Sequence, residues 1–75
     1  MTKDLDATGL RCPLPVIRME TALRSMNSGD NLEITADDPI ARLDIPHFCR
    51  EAGHGCMLIF ADEETGNCVF LVTKG

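Results

Sequence analysis

The sequence predicts an α+β fold: a two-layer α/β sandwich in the order βαβαββ, with two helices on one face of a four-stranded mixed sheet. Three observations carry that expectation. Apolar residues recur at helical spacing over 16–26 and again over 41–52. Residues 31–37 alternate apolar and polar, as a strand with one buried face does. The last third reads as an apolar run, the polar turn DEETGN and a second apolar run, which is a hairpin pattern. With 75 residues the chain has room for a single domain, residues 1–75.

Taken in order, Leu5 and Ala7 alternate with Asp4, Asp6 and Thr8 and predict a short strand ending at Gly9. Pro13 suits a first helical position, where a missing N–H costs nothing. Val16, Met19, Leu23 and Met26 then form the buried stripe, with Glu20 and Arg24 as an i,i+4 pair on another side. Ser28-Gly29-Asp30 stops the helix, and Leu32, Ile34 and Ala36 mark the next buried strand face. Asp38-Pro39 reads as an N-cap and a first-turn proline, and Gly53 as a C-cap. Between them Ala41, Ile45, Phe48 and Ala52 form a helical stripe, while Pro46 either kinks one helix or opens another capped by Asp44. In the hairpin, period two counted from Asp62 and Thr73 sends Leu58, Phe60, Val69 and Leu71 to the face away from the helices. Such an apolar patch predicts a protein partner or a weak homodimer. A register shifted by one, or residues 1–4 folded across it, would remove the patch.

Composition narrows the function. A formal net charge of -5 argues against direct nucleic-acid binding, which needs clustered Lys and Arg. No apolar run approaches the roughly 20 residues of a membrane helix, and MTKDLDATGL lacks an apolar secretion segment, so the expected compartment is the cytoplasm. A reducing compartment keeps Cys12, Cys49, Cys56 and Cys68 as thiols, and none forms a CxxC pair. Cys49, His54 and Cys56 match no common zinc spacing, and neither a metal nor an organic cofactor is expected.

The segment GLRCPLP, residues 9–15, is where chemistry concentrates. With Pro13 opening the helix, Cys12 is expected at the N-cap, facing the positive end of the helix dipole, with Leu14 alone able to aim an N–H at the sulfur. The dipole, with Arg11 and Arg18 nearby, predicts a lowered pKa and a partly ionised, exposed nucleophile. Histidine-activated catalysis has only His47 and His54 to draw on, whereas attack on another sulfur needs no base.

LDATGLRCPLPV, followed by SGD, ADDP, DIPHFCREAGH and a terminal hairpin, resembles the TusA-type (SirA-like) sulfur carriers along nearly the whole chain. The resemblance implies a sulfurtransferase in which Cys12 takes a sulfane sulfur from a cysteine desulfurase or another persulfide donor and passes it to an acceptor protein. It also implies supporting roles for the motif residues Gly9, Arg11, Pro13 and Pro15. Arg18, Arg24 and Asp38 become candidate partner contacts alongside Leu58, Phe60, Val69 and Leu71. Members serving tRNA thiolation often carry an acidic residue between the two prolines, where this chain has Leu14. Two other classes stay open: a regulatory interaction domain working through the sheet patch, and a thiol redox protein pairing Cys12 with a second cysteine.

Overall fold

A computed structural model describes residues 2–75. Its elements are β1 (Thr2–Ala7), α1 (Leu14–Arg24), β2 (Asn31–Ala36), α2 (Pro39–Ala52), β3 (Gly55–Ala61) and β4 (Cys68–Thr73). The sheet order is β1-β2-β4-β3, with β1 and β2 parallel and β4 antiparallel to both its neighbours. The expected two-layer sandwich of two helices and a four-stranded mixed sheet is therefore the observed one. Because each of β1 and β2 is followed by a helix, both helix starts lie toward the carboxyl ends of these parallel strands. That end of an open α/β sheet is where backbone donors and side chains from several segments converge.

The core is Met19 and Leu23 from α1, Met26 just beyond its end, Ala41, Ile45 and Cys49 from α2, Ala7 of β1, and the inward positions of β2 and β4. One detail departs from the sequence stripe: Ala52 is exposed, while Cys49 packs inside. Pro46 lies within one unbroken α2, so no second helix starts there and Asp44 caps nothing. Asp38 does cap α2, accepting from the Ile40 N–H at 3.2 Å, and Gly53 ends it with φ 81. The Lys74 ammonium donates to the carbonyls of Leu23 and Met26, both at 2.7 Å, a cation satisfying orphan acceptors at the end of α1.

The hairpin register corrects one sequence expectation. β4 alternates cleanly, with Cys68, Phe70 and Val72 buried and Val69, Leu71 and Thr73 half-buried on the open face. Phe60 pairs with Val69 and Met57 with Leu71, so all four belong to the open face. Leu58 pairs with Phe70 and therefore points to the helix side. The cause is a bulge between Leu58 and Phe60: Ile59 is the extra residue, and one extra residue inverts every side chain beyond it. Leu58 remains 42 % exposed and Phe60 55 %, since β3 is an edge strand. Residues 2–4 do not cover this patch, because they are paired into β1 at the far edge; Met1 lies outside the described residues.

Candidate functional site

The loop between β1 and α1 is held by two adjacent carboxylates from the start of α2. Asp37 accepts from the Gly9 N–H at 3.0 Å, where Gly9 turns the chain with φ 79. Asp38 accepts from the Cys12 N–H at 2.7 Å with one oxygen while its other oxygen caps α2. Asp38 is only 6 % exposed, with both oxygens engaged inside the protein. It therefore pins the Cys12 backbone and shows only a sliver of surface, a structural role in place of the expected partner contact.

Cys12 is exposed, but its surroundings differ from the sequence expectation. Pro13 occupies the cap position of α1, so Cys12 stands one residue outside the helix. The Leu14 N–H is spent on the Arg11 carbonyl at 2.8 Å and does not reach the sulfur. The Cys12–Pro13 peptide bond is cis. What the sulfur does meet is Asp44, a residue of α2, with Sγ donating to Oδ2 at 2.9 Å. That hydrogen bond, followed by loss of solvation and the charges of Asp44 and Asp38, raises the thiol pKa above its ordinary value. The expectation of a partly ionised thiol in the free protein is overturned: carboxylates dominate at the sulfur, and the arginines do not.

Arg11 and Arg18 are exposed, as is Arg24, which lies 3.7 Å from Glu20. Pro15 is fully buried and anchors the first turn of α1. Gly9, Arg11, Asp37, Asp38 and Pro39 line an open cleft of about 290 Å³ beside the Cys12 loop. Sequence reading missed a second feature of this end. Leu14 and Ile17 in the first turns of α1, and Ile40 and Leu43 in those of α2, are large apolar side chains left exposed, Leu43 at 73 %. Their sequence signal was apolar residues off both core stripes.

The other thiols sit differently. Cys49 is fully buried in the last turns of α2, and burial, with the Cys56 thiol as a lesser influence, pushes its pKa up to about 12. Cys56, opposite Val72 on the helix side of edge strand β3, is exposed, and partial loss of solvation raises its pKa. Cys68 is buried at the start of β4. Among the described residues all four cysteines are free, and no three His, Cys, Asp or Glu side chains group as metal ligands.

Fold and site together define a class of small, open-faced α/β sandwiches that expose one cysteine beside two helix starts. The family model described as Sulfurtransferase TusA matches residues 3–74. The sulfur carrier protein TusA of Pseudomonas putida (strain W619) is 43 % identical over 70 residues, covering 93 % of this chain and 85 % of that protein. The crystal structure of the SirA-like protein from Desulfitobacterium hafniense superposes with a TM-score of 0.81 at 26 % identity, covering 100 % of this chain and 99 % of that one. The chain belongs to the TusA family of sulfur carriers. No helix among the described residues is long and apolar enough to cross a membrane.

Proposed function

We propose that this protein carries sulfane sulfur as a persulfide on Cys12, between a donor protein and an acceptor protein. The observation that carries the reading is the exposed Cys12, backbone-pinned by Asp38, in a chain that belongs to the TusA family. The donor is a cysteine desulfurase or another persulfide protein. After Cys12 gives up its proton, its sulfur attacks the outer sulfur of the donor persulfide. A new S–S bond forms, the donor's S–S bond breaks, and the electron pair stays on the donor sulfur, which is then protonated. An acceptor thiolate repeats the exchange on the outer sulfur and regenerates Cys12, so no metal, oxidant or organic cofactor enters the balance.

An open site of this kind leaves the partner to complete the reaction surface. The apolar residues Leu14, Ile17, Ile40 and Leu43 are the proposed contacts nearest the thiol, with Arg11 and Arg18 as steering charges. Arg24, and Phe60, Val69 and Leu71 on the open sheet face, are further contacts. The test is mass spectrometry after incubation with a cysteine desulfurase and cysteine. One added sulfur atom on the Cys12 peptide, lost in Cys12→Ser and kept in Cys56→Ser, supports the carrier. An internal disulfide instead would assign a redox protein.

The open face favours a second reading, an interaction domain whose Cys12 is incidental. In that case Cys12→Ser keeps full function in the cell and Phe60→Asp abolishes it.

A further inference from the structure

We propose that Asp44 gates Cys12: its carboxylate holds the thiol proton in the free protein, and neutralising that carboxylate releases the sulfur for attack. The inference deepens the carrier reading and rests on it for the identity of the incoming persulfide, but the gate itself is a property of this chain alone.

The geometry is specific. Sγ of Cys12 and Oδ2 of Asp44 are 2.9 Å apart, and two anions at that distance repel, so the contact exists only with a proton between them. Asp44 is set rigidly for this, since it lies inside α2 directly before the fully buried Ile45 and two residues before Pro46. Its carboxylate is half-buried and pairs with no cation among the described residues, so no protein counter-charge offsets its effect on the sulfur. The other groups around Cys12 do not oppose it. Asp38, from the start of α2, adds a second negative charge, and Asp37 is occupied with the Gly9 N–H. Arg11, beside Cys12 in the chain, and Arg18 on α1 are exposed and bond to neither carboxylate. The raised thiol pKa follows from this arrangement, with the Asp44 hydrogen bond its largest cause.

Reaction of a thiol with a persulfide or an alkylating reagent scales with its thiolate fraction. A carrier gated in this way is quiet when alone. It becomes reactive when a cationic group of a docked donor takes over the Asp44 carboxylate.

The experiment is the pH dependence of iodoacetamide alkylation at Cys12, read by peptide mass spectrometry in the wild-type chain, Asp44→Asn and Asp44→Ala. Both variants are expected to move the profile to lower pH and to raise the rate at pH 7 several-fold. Cys56, alkylated in the same samples, keeps its wild-type rate. Coincident profiles, or displacement to higher pH, overturn the gate. So does a parallel rise at buried Cys49 and Cys68, which would assign Asp44 to holding the fold together. Because alkylation needs no persulfide, a wild-type chain that never accepts sulfur yet shows the shifted profile sinks the carrier reading and leaves the gate standing.

Discussion

Cys12 lies beside the first turns of α2 and Cys49 in its last turns, and both hold their protons more tightly than an ordinary thiol. At Cys12 the main cause is a carboxylate at 2.9 Å from an exposed sulfur. At Cys49 it is burial, on a residue with no exposed surface. The difference decides what each can do. A charge effect at the surface is removed by moving or neutralising one side chain, whereas burial is removed only by unfolding. A raised pKa therefore means a conditional nucleophile in one place and a packing group in the other.

The comparison breaks most visibly under a charged substitution. Cys49→Asp buries an unpaired carboxylate and is expected to cost about 3–5 kcal/mol, enough to unfold a domain of this size. Cys12→Asp is expected to cost clearly less, because position 12 is open to water and solvent screens the repulsion from Asp44 and Asp38. Urea midpoints measure both, and equal midpoints would dissolve the distinction. Asp38→Ala comes next. It removes the α2 cap and leaves the Cys12 amide without its acceptor, for a loss of about 2 kcal/mol in the same assay.

Alkaline pH separates the two thiols further. The Cys49 thiol has an ordinary value of 9.0 and lies at about 12 in the folded chain, so above pH 9 the unfolded chain releases its proton first. Stability contributed by this site is full below pH 9 and is lost as pH rises toward 12. By pH 10 the loss is about 1 kcal/mol, and Cys49→Val should show that much less alkaline destabilisation than wild type. Identical slopes in the two proteins would remove burial as the cause. The smallest effect is expected at Arg24→Ala, whose exposed pair with Glu20 is worth at most about 0.5 kcal/mol. A larger loss there would mean that surface charge matters more to this fold than packing does.

Much of the architecture was legible because local signals agreed with one another. Asp38-Pro39 and Gly53 framed α2, and Val16, Met19 and Leu23 marked the inner face of α1, with Met26 packed just beyond its end. The half-buried alternation of β2 was equally plain. The thiol was legible too, through its proline-rich motif. Its chemistry was not, because Asp44 lies 32 residues away and meets Cys12 only after two helices start side by side at one end of the sheet. The local rules that suggested ionisation counted the dipole and nearby arginines along the chain; the carboxylates arrive through space. Leu58 was misplaced for a related reason, since an alternating pattern gives no sign of an inserted residue until the partner strand is known.

That inserted residue shapes how copies of this protein meet one another. β3 is an outer strand with no charge between Gly55 and Ala61, a composition that in a straight ribbon invites stacking into fibrils. The kink at Ile59 cuts its free rim of amides and carbonyls into two short stubs, neither long enough to zip a neighbouring chain into register. A greasy border can thus stay available for company without becoming a seed for aggregation.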